Sequence, residues 1–161
     1  MAIGCASLNG PAGWVTVFAE GGAVVALEWG RAGETAQGDG LDAAVAELQR
    51  YFDGERAGFT VPVRPAGGAF RQRVWRRLAA VPWGVTVSYG ALAAELGTAP
   101  RAIAGACAKN PIPIIIPCHR VVAASGGVGG YSGGDGIETK RALLALEGVE
   151  LPRLPRPAAA A

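Results

Sequence analysis

Between Asn110 and Val122 the chain reads NPIPIIIPCHRVV, and this stretch constrains the fold more than any other. Prolines at 111, 113 and 117 each remove a backbone donor and fix φ, so the segment is too broken for a helix. Its four isoleucines nonetheless demand burial. The pattern therefore predicts a buried extended segment that delivers Cys118 and His119 into the interior. His119 is the only histidine in the chain, and Cys118 is one of three cysteines.

Cys5, Cys107 and Cys118 are an odd number at irregular spacing, which points away from a disulfide framework and towards a reducing compartment. A tetrahedral zinc site would need every cysteine and the only histidine, so no metal and no cofactor is expected. Half of the residues are hydrophobic and 17% are charged, which excludes a disordered chain. The N-terminus lacks a basic leader, and no apolar run approaches the roughly 18 residues of a membrane helix. A soluble cytoplasmic protein is expected. Charge is divided unevenly: residues 1–60 carry three arginines against eight acids, the remainder twelve Lys/Arg against five acids. The C-terminal part is the one that would attract a polyanion, although for an isolated basic run such as RQRVWRR a solvated helix face is the commoner outcome.

Along the chain, residues 13–29 predict a hairpin about Glu20-Gly21-Gly22, followed by a helix with Leu41, Val45, Leu48 and Phe52 on one face, then a strand in FTVPVRPAGG. The Pro62, Pro65, Gly67, Gly68 cluster is the best domain boundary. After it, Phe70, Val74, Trp75 and Leu78 mark a helix. A second follows with Ser88 as N-cap and Gly97 at its end, and a third with Thr98 as N-cap and Pro100 in its first turn. The last two resemble a helix-turn-helix. Ala102, Ala104, Gly105, Ala106 and Ala108 leave the third helix little bulk, which suits either a close-packed helix pair or a backbone lying near phosphates, with Arg101 and Lys109 flanking. Cys107 reads as a small core residue. A glycine-rich loop leads to a last amphipathic helix with Ile137, Leu143, Leu144 and Leu146 inward, and residues 151–161 read as a frayed tail.

Taken alone, Cys118 beside His119 has three readings: a small buried hydrophobe, a hydrolytic Cys-His pair, or a thiolate that attacks a bound carbon electrophile with the histidine acting through water. The ordered motifs FRQRVWRRLAAVPWGVTVSYGALAAELG, PRAIAGACAKNP, NPIPIIIPCHRVV, GGVGGYSGG and RALLALEG, spanning about Phe70 to Gly148, resemble those of the O6-alkylguanine-DNA alkyltransferases. That resemblance implies an α+β fold. A small strand-rich, ribonuclease H-like α/β domain (1–66) would precede a mainly helical, winged-helix-like catalytic domain with a helix-turn-helix (67–150).

It further implies that Cys118 accepts the alkyl group irreversibly from O6 of guanine, and from O4 of thymine. His119 matches the water-mediated base and Glu147 the carboxylate that orients it. Asn110 matches the hinge beside the active-site segment, and Tyr89 the proton donor to departing guanine. Arg101 matches the finger that enters the duplex, with Ala102, Gly105 and Lys109 on the same DNA-facing helix. Val121 matches the carbonyl that meets the base, and Tyr131 and Ser132 the wall of the base pocket. The implied partner is double-stranded DNA carrying O6-alkylguanine. No membrane and no obligate protein partner are implied, and the protein would act as a monomer. A lesion-binding module without transfer and a Cys-His thiol hydrolase are the rival readings.

Overall fold

The computed structural model describes residues 2–151; the predicted tail lies outside them except for its first residue. Three antiparallel strands, β1 (Gly4–Gly10), β2 (Gly13–Glu20) and β3 (Ala23–Trp29), form a meander in the order β1-β2-β3. The hairpin of β2 and β3 turns at Gly21-Gly22 as its sequence predicts. β1 was not predicted, because GCASLNG has neither β-branched residues nor an alternation of large apolar side chains. What pairs it is tertiary context: Cys5 lies opposite Phe18 and Leu8 opposite Val15.

Helix α1 (Leu41–Phe52) follows the predicted bounds and lays Leu41, Ala44, Leu48, Tyr51 and Phe52 inward, with sheet contacts to β1 and β2. The strand predicted in residues 59–68 is reduced to a single parallel bridge, Val24 to Val63, since prolines at 62 and 65 cannot donate to a ladder.

Four short helices and a two-residue parallel ladder make up the rest. Helix α2 (Ala69–Ala79) buries Val74, Trp75 and Leu78, while Phe70, which also marks the helix in the sequence, is exposed in its first turn. The ladder joins β4 (Val87–Ser88) to β5 (Val121–Val122). Helix α3 (Tyr89–Leu96) starts on Ser88, whose hydroxyl accepts from the Ala91 amide at 3.0 Å, and stops at Gly97 with φ 67°. Helix α4 (Pro100–Ala108) has Ala99, not Thr98, as its N-cap, with Pro100 at the first helical position. Helix α5 (Ile137–Leu146) buries Leu143 and Leu144 as predicted. Ile137 is exposed and Leu146 only half-buried, while Thr139 and Lys140 are buried in their place.

Two anchors hold these pieces in register. Trp75 is 1% exposed, and its indole N–H donates to the Ala106 carbonyl at 2.9 Å, fixing α4 against α2. The Leu27 amide of β3 donates to the Pro111 carbonyl at 2.9 Å, fixing the N-terminal sheet against the proline-rich segment. One continuous apolar cluster runs from Leu8 and Val17 through Trp75 and Ile103 to Leu143. The molecule is thus a mixed α/β structure, a small sheet with helices around one core.

Candidate active site

The Asn110–Pro117 segment is buried as predicted, but it is not extended. It folds on itself, with Ile116 N–H donating to Ile112 O at 2.9 Å and Ile115 N–H to Pro113 O at 2.9 Å. Prolines cannot feed a ladder, so the backbone must satisfy its remaining polar groups locally. Ile114 carries φ 73°, a left-handed value that a β-branched residue adopts only under constraint, costing on the order of 1–3 kcal/mol. Asn110 clamps the turn: its side-chain amide donates to Ile116 O at 2.8 Å, and its Oδ1 accepts from the Ile112 amide at 2.9 Å. That second bond is an Asx turn across Pro111.

The chain then enters a single 3-10 turn, Cys118–Arg120, in which all three side chains are buried. Glu147 is the C-cap of α5 and also buried. His119 Nε2 lies 2.5 Å from Glu147 Oε2. A carboxylate can only accept, so Nε2 carries the proton and Nδ1 presents its lone pair. Nδ1 is buried with no partner among the described residues. The Glu147 carboxylate also accepts from Tyr51 Oη at 2.6 Å, Arg120 Nε at 2.8 Å, Arg120 Nη2 at 3.1 Å and the Gly84 amide at 3.1 Å. Burial pushes its pKa up, but hydrogen bonds from His119, Arg120 and Tyr51 outweigh burial and hold it at about 2. Burial lowers the His119 pKa despite the opposing pull of Glu147, so the imidazole is neutral at pH 7.

Burial raises the Cys118 pKa, while Asn110, Lys140 and Tyr131 work in the opposite direction. The resting thiol is therefore protonated, and it needs a base at the moment of reaction. Cys118 opens on a cavity of about 720 Å³, lined on its other sides by Tyr89, Asn110, Tyr131 and Ser132, by Ala104, Cys107 and Ala108 of α4, and by Trp29 of β3. Cys107, read from sequence as core, is half-buried and shares this cavity; burial and the neighbouring Cys118 push its thiol up to about 12.

Lys140 was not singled out in the sequence. Its side chain is fully buried, and Nζ donates to Val121 O at 2.5 Å, to Gly130 O at 3.1 Å and to Tyr89 Oη at 3.4 Å. Desolvation lowers its pKa to about 8. The Val121 carbonyl, matched by resemblance to a base contact, thus already accepts from an ammonium; its second lone pair is the one left for a ligand. Burial pushes Tyr89 up to about 12, with the Cys107 and Cys118 thiols adding to the shift.

Arg101 and Gly105 of α4 and Lys109, its C-cap, lie four residues apart on one exposed stripe. Ala104 and Ala108 beside them are exposed, Ala102 is half-buried, and Ile103 and Ala106 turn inward. A side chain at Gly105 would meet no neighbour. Of the two readings of the small-residue surface, the open face is the one observed. Ala104 and Ala108, next to this stripe, line the Cys118 cavity. In the preceding basic run, Arg77 pairs with Glu95 and Arg73 donates to Leu96 O, so part of that charge is spent on holding α2 to α3. Among the described residues no cluster of three or more His, Cys, Asp or Glu could hold a metal, and no helix is long and apolar enough to cross a membrane.

Sequence reasoning missed Tyr51, Arg120 and Lys140. Each had one weak signal: Tyr51 sits on the apolar stripe of α1 where a hydroxyl needs a partner, Arg120 closes the Cys-His-Arg run, and Lys140 falls on the inward side of α5.

The site thus defines a protein with a buried cysteine next to a histidine held by a carboxylate, on a cavity lined by the second of two short helices, α3 and α4. Residues 69–149 match the family described as 6-O-methylguanine DNA methyltransferase, DNA binding domain. A methylated-DNA–protein-cysteine methyltransferase of Metallosphaera sedula is 41% identical over 141 residues, 86% of this chain and 88% of that one. Its counterpart in Saccharolobus solfataricus is 45% identical over 106 residues, 66% of this chain and 68% of that one. Among solved structures, Mycobacterium tuberculosis OGT in complex with DNA superposes with a TM-score of 0.77 at 39% identity, covering 89% of this chain and 91% of that one. The chain belongs to the methylated-DNA–protein-cysteine methyltransferase family.

Proposed function

We propose that this protein repairs DNA directly, moving the alkyl group from O6 of guanine, and from O4 of thymine, to Cys118 in one irreversible turnover. The observation that carries this reading is the Glu147–His119 pair behind a buried Cys118, on a cavity lined by the exposed Ala104 and Ala108 of α4. His119 Nδ1 takes the thiol proton through a water. The Cys118 sulfur attacks the alkyl carbon, the bond from that carbon to the guanine oxygen breaks, and Tyr89 supplies a proton to the departing base. A thioether has no simple route back, so one molecule repairs one lesion. Lys140 fixes Tyr89 and Val121 and lends positive charge to the nascent thiolate. Asn110 and the strained Ile114 turn hold Cys118 in place, where a small displacement would cost much of the rate.

A base within a duplex is out of reach of a buried thiol, so the nucleotide is flipped into the cavity. α4 enters the minor groove with Arg101 filling the gap, Ala102 and Gly105 against the backbone, and Lys109 on phosphate. Tyr131 and Ser132 wall the flipped base. Residues 1–66 are read as a ribonuclease H-like supporting domain and 67–150 as a winged-helix-like catalytic one, acting as a monomer in the cytoplasm.

The test is intact-protein mass after mixing with a duplex containing O6-methylguanine, for wild type and Cys118→Ala. One methyl gained by wild type alone, mapping to Cys118, is expected. Lesion binding without a mass change would overturn transfer in favour of a binding module.

A further inference from the structure

A second cavity, of about 390 Å³, shares no lining residue with the one at Cys118. It falls within the range of small-molecule sites, about 300–1,000 Å³. The linker after α1, the end of α2 with the turn that follows it, and Ile115 and Ile116 enclose it, while Tyr51 and Arg120 reach it from the Glu147 cluster. Phe59 and Trp83 on its walls are half-buried, and both pack on the Tyr51 ring, with centroids 5.6 and 5.2 Å away and planes at 36° and 72°. Three rings are thus fixed against one another beside an open space, and a flat guest would gain the offset or edge contacts that such rings favour.

The polar lining is cationic. Arg120 uses three of its five N–H groups, two on Glu147 and one on Val81 O, and the others have no partner among the described residues. Arg56 is exposed, and among the described residues it has neither an ion pair nor a hydrogen bond. Its Nη2 lies 3.7 Å from the point where a side chain at Gly84 would begin, next to the amide that donates to Glu147. Glu147 balances the charge of Arg120, so Arg56 brings a net positive charge to the cavity. No acid lines this cavity, whereas Glu28 lines the one in front of Cys118. A neutral aromatic would leave the charge of Arg56 unmet, and a phosphate would set a multiple charge against one uncompensated cation between apolar walls. We infer that this cavity is a second ligand site, which takes a small aromatic carboxylate with its ring between Phe59 and Trp83 and its oxygens on Arg56 and the spare donors of Arg120. The site needs neither DNA nor transfer at Cys118.

The experiment is isothermal titration of the full chain with 1-naphthoate and with its neutral twin, 1-naphthamide. The acid is expected to bind at one site at least tenfold more tightly than the amide, roughly the worth of a hydrogen bond between charged groups. Arg56→Glu is expected to weaken the acid by at least about tenfold, and Arg56→Lys, which keeps the charge, by less. Ala57→Trp, which fills the cavity from its exposed wall, is expected to abolish binding, while Ala104→Trp, on the wall of the Cys118 cavity, leaves it unchanged. Equal affinity for acid and amide would overturn the inference, as would full affinity in Arg56→Glu or no binding of the acid at millimolar concentration. Loss of binding in Ala104→Trp with retention in Ala57→Trp would overturn it too, by moving the ligand to the front cavity.

Discussion

The two sides of Cys118 are built on opposite terms. Behind it, the Glu147 carboxylate takes hydrogen bonds from four residues on three separate parts of the chain, namely Tyr51, Gly84, and the neighbours His119 and Arg120. In front of it lies an open cavity, and two of the three buried side-chain atoms left without a partner among the described residues belong to residues that line it, Trp29 Nε1 and Tyr131 Oη; the third, His119 Nδ1, lies beside Cys118 itself. A buried polar group without a partner costs about 1–3 kcal/mol, so native chains rarely leave several together. The difference separates the fixed part of the machine from the part reserved for what enters. The saturated side sets the tautomer of His119, while the unsaturated side keeps its bonding capacity for a guest and a water.

The contrast breaks most sharply at Glu147. Glu147→Gln would leave the Arg120 guanidinium buried without its counter-charge and free His119 to adopt the other tautomer. The expected loss is about 3–5 kcal/mol of stability, typical of breaking a buried ion pair, together with most of the transfer rate. Denaturant midpoints and single-turnover mass measurements check the two effects. The pH dependence sharpens the same point. Glu147 has a folded pKa of about 2, below its ordinary value of 4.5. Its stabilisation is complete above the ordinary value and is lost as pH falls towards about 2. The stability gap between wild type and Glu147→Gln should therefore be widest at neutral pH and narrow steadily under acid titration; a gap independent of pH would show that the carboxylate charge is not what matters.

Tyr51→Phe comes next in size. It removes one donor, 2.6 Å from Glu147 Oε2, and leaves His119 and Arg120 on the same oxygen. A hydrogen bond to a charged group is worth about 1.5–3 kcal/mol, and that is the expected stability loss. Transfer should slow less than in Glu147→Gln. If it slows equally, the N-terminal helix is setting the histidine rather than only supporting it.

How much of this was legible in the sequence depended on how far each interaction reaches along the chain. Cys118, His119 and Asn110 lie within ten residues and could be read as one motif. The helices were legible because Ser88, Pro100 and Gly97 act on their immediate neighbours. Tyr51 lies 96 residues from Glu147, and to a periodicity it is one more apolar position on α1. Lys140 on an amphipathic helix reads as solvent-facing. Only the fold shows that three acceptors, Val121 O, Gly130 O and Tyr89 Oη, are waiting for it. The proline-rich segment was read correctly as buried and wrongly as extended. Hydropathy reports burial, whereas the Asn110 clamp and the positive φ of Ile114 decide the path. β1 was missed for the converse reason: its residues have no strand preference, and only β2 recruits them.

The smallest effect asks whether the helix-turn-helix can be loosened without disturbing either side. Ser88 caps α3 and belongs to the β4–β5 ladder, and the next residue, Tyr89, carries the hydroxyl that meets Lys140 and the cavity. Ser88→Ala removes one capping bond, at a cost of about 1 kcal/mol. The ladder itself uses only backbone, so Val87 and Ser88 should stay paired with Val121 and Val122, and Tyr89 should remain in register beside Lys140. The expected result is a lower denaturation midpoint with an unchanged rate of methyl transfer. A rate that fell along with the midpoint would show that the Tyr89 hydroxyl is placed by the cap rather than by the buried ammonium, and the cavity side would then be held from the helix end instead of from Lys140.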